Sequence, residues 1–316
     1  MESSVLWIEK HRPKNFDEVK GHEKIIERLR AFVEQKNVPH LLFTGPAGVG
    51  KTTLALIVAK ELFKEGWKQN FLELNSSDER GIDVIREKVK DFARTKAIAQ
   101  VPYKIILLDE CDALTREAQQ ALRRTMENYS SSCRFILSAN YSSRIIDPIQ
   151  SRCITFRFKP LEKETVTLLI KEICKAEKLK IENDAIEALY ELAQGDGRRI
   201  ANILQSCASM SKTITASSVY AIVSAAEPQE VKKILELAVK GDFPKAKSML
   251  LEVMIKHGLS GLDIIKQIQK EIWSLAIPDT SKIRLIDKCA EIEFRMVEGS
   301  DEFLQLEALL VNFIQK

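Results

Sequence analysis

The chain has 316 residues, enough for two or three domains and for a sizeable buried core without covalent staples. Hydrophobic residues make up 45% and charged residues 29%, a balance too apolar for a disordered chain. Lys and Arg number 48 against 45 Asp and Glu, a net charge of +3, which excludes a histone-like polycation but still allows a local basic stripe that meets nucleic acid.

The six cysteines, Cys111, Cys133, Cys153, Cys174, Cys207 and Cys289, form no C-x-x-C pair, and only four His accompany them. A zinc site is therefore not expected, and the thiols read as buried groups of a reducing compartment. No basic segment followed by an apolar one opens the sequence, and no apolar run reaches the roughly 20 residues of a membrane span. A cytoplasmic protein with no membrane partner is the expectation. No tandem repeat or low-complexity tract is apparent.

In chain order, the first half alternates short apolar runs with helical patterns. Leu41–Thr44, Phe71–Asn75, Lys104–Leu108, Arg134–Ser138 and Ile154–Phe158 are brief, rich in Ile, Leu or Phe, and followed by polar residues, as buried parallel strands should be. Lys51–Phe63, Gly81–Thr95 and Thr115–Tyr129 carry helical periodicity between them. This βαβ alternation predicts an α/β domain with a five-stranded parallel sheet. After Pro160 the pattern is helical and no strand is predicted. Lys163–Glu177, Asn183–Ala193 and Arg198–Ser211 are predicted helices, with a further helix start at Thr215–Ser217. A boundary at Glu227–Pro228 opens a last helical block, punctuated by Gly241, Gly258, Gly261, Pro278 and Gly299. Three modules follow: 1–160 (α/β), 161–227 (small, helical) and 228–316 (larger, helical).

Chemistry concentrates at the ends of the predicted strands. Gly45-Pro46-Ala47-Gly48-Val49-Gly50-Lys51-Thr52 fits G-x-x-x-x-G-K-[ST] between a strand and a helix, the context that confirms a phosphate-binding loop. Glycines let backbone N–H groups wrap phosphates at a helix N-terminus. Lys51 would reach the β- and γ-phosphates and the Thr52 hydroxyl would sit on Mg²⁺. Leu107-Leu108-Asp109-Glu110 places two carboxylates at the sheet's C-terminal edge, where open α/β sheets bind ligands. Asp109 is the candidate Mg²⁺ ligand and Glu110 the candidate base for an attacking water. Asp112 is equally well a helix N-cap. Asn140 either places water and touches the γ-phosphate or ends a turn. Arg152, before the last strand, and Arg198 and Arg199, at a helix start, suit the charge of phosphoryl transfer, although arginines in such places are often structural.

The helix after Gly81 has Ile82, Ile85, Val89 and Phe92 at core spacing. Arg86, Lys90 and Arg94 recur every four residues on another face, a spacing able to track a nucleic-acid backbone. Asp83, Glu87 and Asp91 share the segment, so a solvated, self-paired face is the alternative. Arg80 and Arg123-Arg124 are weaker candidates for DNA contact.

Together with these motifs, Leu6-Trp7-Ile8-Glu9-Lys10-His11-Arg12-Pro13-Lys14, Asn75-Ser76-Ser77-Asp78-Glu79-Arg80-Gly81, Ala121-Leu122-Arg123-Arg124-Thr125-Met126-Glu127 and Ser151-Arg152-Cys153 resemble, in this order, the small subunits of archaeal replication factor C, an AAA+ clamp loader. The resemblance covers the whole chain and is densest over residues 5–205. It implies an AAA+ P-loop NTPase module, a helical lid domain and an all-α collar that closes a ring. It implies an ATPase that works with a replication factor C large subunit and other copies of itself. That assembly would load the sliding clamp, PCNA, onto primer–template DNA with ATP and Mg²⁺. Arg152 then matches the arginine finger serving a neighbour's ATP, Arg198 the second sensor and Asn140 the first. Val5, His11, Arg12, Pro13 and Val19 match the cover over adenine, and Thr53 follows the nucleotide loop into the same site. The helix Thr115–Tyr129 is the candidate clamp face. A different AAA+ task, or a subunit that binds ATP without hydrolysing it, is the competing reading; intact Lys51, Thr52, Asp109 and Glu110 weigh against the latter. His11 stands where Tyr is usual, which puts the adenine pocket in doubt. Cys111 stands where Ala is commoner and is expected to pack or to oxidise. Gly197 replaces a larger apolar residue and is expected to loosen the start of the lid helix.

Overall fold

Runs of four to seven apolar residues cannot leave a face in water, so they pair in the middle of a layered domain. In the computed structural model, which describes residues 6–78, 80–97, 103–223 and 226–314, they become β1 (Leu41–Thr44), β2 (Phe71–Asn75), β3 (Lys104–Asp109), β4 (Cys133–Ala139) and β5 (Ile154–Arg157). All neighbours are parallel, in the order β2-β3-β4-β1-β5. β4 is the middle strand, and β1 lies between β4 and β5, with Phe43 beside Ser138 of β4 and Phe156 of β5.

Alternate residues of each strand serve opposite faces. Phe43, Leu107, Ile136 and Phe156 pack with Leu29 of the helix Glu23–Glu34 and Leu54 and Val58 of the helix Lys51–Phe63. Leu42, Leu108, Phe135 and Leu137 pack on the other side with Ile85 and Val89 and with Leu122 and Met126 of the helix Arg116–Asn128. Thr115 caps that last helix, its side chain accepting the Ala118 amide at 3.2 Å.

The chain divides into two compact units. One runs to Leu179 and takes up Leu189–Gln205; the other holds Lys180–Ala188 and the chain from Ser206 onward. The sheet belongs to the first. In the second, the expectation of no strand beyond Pro160 fails. β6 (Lys180–Ile181) pairs in parallel with β7 (Thr213–Ile214). Two residues per strand leave no period to read in a sequence; the pairing rests on backbone bonds such as Lys180 N–H to Lys212 O at 2.9 Å. The helices Pro228–Val239, Phe243–His257, Gly261–Glu271, Asp279–Val297 and Glu302–Val311 complete this unit. Ile234, Leu235, Leu250, Ile264, Ile268 and Leu309 are in its core. Gly258 ends its helix in the left-handed conformation, φ 64°. Among the described residues no helix is long and apolar enough to cross a membrane.

Five of the six cysteines are buried and Cys153 is half-buried. Cys111 packs in the core on the side of the helix Arg116–Asn128, and burial pushes its thiol well above the ordinary range.

Candidate nucleotide site

The loop after β1 holds three glycines at positive φ, and at two of them a side chain would also collide. Gly45 has φ 147°, and a Cβ there would come within 2.3 Å of the Phe158 carbonyl oxygen. Gly48 has φ 71°, and its Cβ would meet the Asp196 carboxylate at 1.7 Å. The loop thus turns tightly into the helix Lys51–Phe63, where unpaired amides and the helix dipole favour anions.

Lys51 is buried and spans the loop. Its Nζ donates to the carbonyls of Gly45 (2.6 Å) and Pro46 (2.7 Å) and to Asn140 Oδ1 (3.0 Å). Burial lowers its pKa and the Arg198 guanidinium adds to this, against the pull of Asp109, Asp112 and Glu110. The Thr52 hydroxyl donates to Asp109 Oδ2 at 2.5 Å, and Asp109 Oδ1 accepts the Glu110 amide at 3.0 Å. Glu110 takes the left-handed conformation, φ 51°, and is exposed at the strand end. A non-glycine residue held there costs on the order of 1 kcal/mol, a strain that concentrates at functional sites.

These groups line a cavity of about 440 Å³. From the loop, Ala47, Gly48, Val49, Gly50, Lys51, Thr52 and Thr53 reach it; from the strand ends, Asp109, Glu110 and Asn140 do so. His11, Arg12, Pro13 and Val19 form another wall, and Arg198 faces in from a helix start. Gly45 and Pro46 adjoin it through the carbonyls that hold Lys51. Val5 lies outside the described residues. Arg152 does not line the cavity. Its guanidinium donates to Glu127 and, at 2.7 Å, to the Pro148 carbonyl, and the side chain is partly exposed.

Several contacts that the sequence did not reveal hold this site. Asp112 does not cap a helix: its carboxylate accepts the amides of Asn140 (3.1 Å) and Tyr141 (3.3 Å) and so fixes the end of β4. His22 Nε2 donates to the Val49 carbonyl at 3.2 Å. Glu177 takes both Lys10 Nζ (2.7 Å) and His11 Nε2 (2.6 Å). His11 is therefore tied down, edge-on to Trp7. Burial raises the Glu177 pKa, but its bonds to Lys10 and His11 outweigh that and lower it overall. The helix start at Gly197, where the sequence predicts loosening, carries two bonds from backbone amides. The Gly197 amide donates to Gly48 O at 3.0 Å, and Asp196 accepts the Arg199 amide at 3.0 Å. Apart from the Asp196–Arg199 and Trp7–His11 contacts, these carry no local sequence signal, because each joins residues far apart in the chain.

The helix after Gly81 presents Arg86, Lys90 and Arg94 on its exposed side, with Ile85, Val89 and Ala93 buried. It is not a plain α-helix. Ile85–Val89 forms a π turn, in which the Lys90 amide reaches back to Ile85 O. Among the described residues, no ion pair joins this stripe to Asp83, Glu87 or Asp91. Arg80 Nε donates to Ser77 O at 3.2 Å, and Arg123 pairs with Glu127 at 2.9 Å.

The family model described as ATPase family associated with various cellular activities (AAA) matches residues 41–161, and that of the replication factor C C-terminal domain matches residues 226–312. A replication factor C small subunit of Archaeoglobus fulgidus is 51% identical over 310 residues, covering 98% of this chain and 97% of that protein. The chain belongs to the replication factor C small subunit family. Another small subunit of this family, from Methanococcus vannielii, is 54% identical over 306 residues, covering 97% of each chain. The one from Sulfolobus acidocaldarius is 51% identical over 314 residues, covering 99% of this chain and 96% of that one. Among solved structures, the Thermotoga maritima RuvB Holliday junction branch migration motor superposes with a TM-score of 0.57 at 19% identity, covering 76% of this chain and 85% of that one. That likeness concerns the fold alone. As a replication factor C small subunit with an AAA domain, the chain is a nucleotide-binding ATPase.

Proposed function

We propose that this ATPase loads the ring-shaped sliding clamp, PCNA, onto primer–template DNA, in a ring assembled from copies of this chain and one replication factor C large subunit. The observation that carries this reading is the split of the catalytic set. One cavity gathers Lys51, Thr52, Asp109, Glu110, Asn140 and Arg198, while Arg152 lies outside it. A site that lacks its own finger arginine depends on a neighbour, so hydrolysis waits for assembly.

The residues fit Mg²⁺. Thr52 and Asp109 offer hard oxygen donors in mutual contact, and among the described residues no cluster of three His, Cys, Asp or Glu forms a complete cage. Mg²⁺ is commonly held this way, by one or two protein oxygens together with phosphates and water. When bound, it would neutralise charge on the β- and γ-phosphates. Lys51 exchanges its loop carbonyls for phosphate oxygens. Glu110 orients the attacking water and accepts its proton at the carboxylate. Asn140, fixed through Asp112, holds the water or the γ-phosphate. Arg198 pairs with the γ-phosphate from the lid, and Arg152 with that of the adjacent subunit. His11, Arg12, Pro13 and Val19 cover the adenine. Arg86, Lys90 and Arg94, with Arg80, hold DNA through its phosphates.

The test is ATP turnover by the complex reconstituted with its large subunit. Clamp and primed DNA together should raise turnover above the level of either alone. Equal rates with and without them would overturn the proposal.

A further inference from the structure

Ser138 is a core residue beside the cavity whose chemistry the proposed function leaves unused. It is 0% exposed, and its hydroxyl has no hydrogen-bond partner among the described residues. A buried hydroxyl left unpaired costs about 1–3 kcal/mol, so alanine would be the more stable choice for packing alone. Yet Ser138 lines the same cavity as Thr52, Asp109 and Asn140.

The sheet register says which way it faces. Leu108 of β3 sits beside Leu137 of β4, and both serve the core on the side of the helix Arg116–Asn128. The next pair along, Asp109 and Ser138, must face the opposite side, since successive side chains alternate. Ser138 also neighbours Phe43 across β1, and Phe43 packs with the helix Lys51–Phe63. Thr52 comes from that helix and already bonds Asp109. Thr52, Asp109 and Ser138 therefore share one face at one level of the sheet. Neighbouring strands lie about 4.8 Å apart, so facing side chains are near enough to share one water, and no direct bond joins Ser138 to Asp109. Both Asp109 oxygens already have a protein donor, Thr52 for one and the Glu110 amide for the other. Each oxygen keeps a further lone pair, so Asp109 can still accept from a water that the Ser138 hydroxyl also bonds.

The geometry points to Ser138 as a positioning residue for the divalent cation: its hydroxyl holds a water of the cation's shell, and Asp109 holds the same water from the other side. This rests on the Mg²⁺ reading above and adds to it a group in the middle of β4. The serine keeps a fold-destabilising hydroxyl because the nucleotide-bound site uses it.

The experiment is a titration of the full chain with a fluorescent ADP analogue, once with Mg²⁺ and once with EDTA. It compares wild type with Ser138→Ala and with Ser138→Cys, which keeps the volume and loses the strong hydroxyl. Mg²⁺ should tighten binding to wild type, and both variants should forfeit about fivefold of that gain, the worth of one hydrogen bond. Affinity in EDTA should stay within about twofold of wild type, and Ser138→Ala should melt no lower than wild type, as expected when an unsatisfied group is removed. An unchanged Mg²⁺ gain in the variants, or an equal loss with and without Mg²⁺, would overturn the assignment. If wild type itself gains nothing from Mg²⁺, the cation reading falls and the Ser138 assignment falls with it.

Discussion

His40 shows how one ring ties sheet register to pH. It stands immediately before β1, and its Nδ1 accepts the Phe135 amide of β4 at 3.1 Å. Only the neutral ring has that lone pair. Burial, and then the Arg134 charge, lower its pKa from the usual 6.5 to about 4. The folded ring is thus held neutral. Its contribution to stability is fully present above pH 6.5 and is lost as pH falls through about 4. His40→Asn keeps an acceptor without a titrating ring and should flatten the fall of Tm over that window. A wild type with no steeper fall than the variant would refute this. At the C-terminal end of β3, Glu110→Gln should leave ATP binding intact and slow turnover of the complex by about 10²-fold or more. Normal turnover would remove Glu110 as the base.

At the scale of elements, the helix 82–94 combines two designs. In a regular α-helix a four-residue step overshoots a full turn by about 40°. The π turn at Ile85–Val89 winds more loosely and takes back part of that drift. Both the buried row and the basic row consequently stay aligned. With Arg86→Ala and Lys90→Ala combined, DNA affinity of the complex should fall, and the slope of log K against log salt should shrink by about 2. An unchanged slope would mark the stripe as a solvated face. The exposed basic row was legible from spacing alone, as were the five strands and the glycine loop, because all obey local periods or local turn chemistry. The π turn was not legible, since nothing in Ile85–Val89 differs in composition from an ordinary helical turn. Nor were the pairings of Asp112 with the end of β4 and Glu177 with His11, which the tertiary fold makes across 28 and 166 positions. Asp112 showed only as a candidate cap. Ser138 reads as one more strand residue until its buried hydroxyl is seen to have nothing to bond.

For the whole molecule, the balance of charge and the position of Arg152 bear on the assembly. A net charge of +3 would say little about DNA affinity in the proposed assembly, where several stripes would face one duplex. Glu127 engages both Arg123 and Arg152, so the finger candidate is already held on its own chain by a partly exposed carboxylate that phosphate can displace. Arg152→Ala throughout a reconstituted complex should cut turnover by about 10³-fold while leaving nucleotide affinity nearly unchanged. Full hydrolysis in that complex would exclude action on a neighbour. The segment from Trp7 to Lys20, finally, behaves as a strap. It is fastened by the Trp7 amide on Gln205 (2.9 Å), by Lys10 and His11 on Glu177, and by Lys20 on Glu172 (2.9 Å), and it forms part of the cavity wall. Strap closure and ligand occupancy are then linked equilibria, and linkage is reciprocal. Nucleotide should shield the strap from limited proteolysis, and Glu177→Ala, which removes one of its fastenings, should weaken nucleotide binding. Cleavage rates indifferent to nucleotide would show that the two are uncoupled.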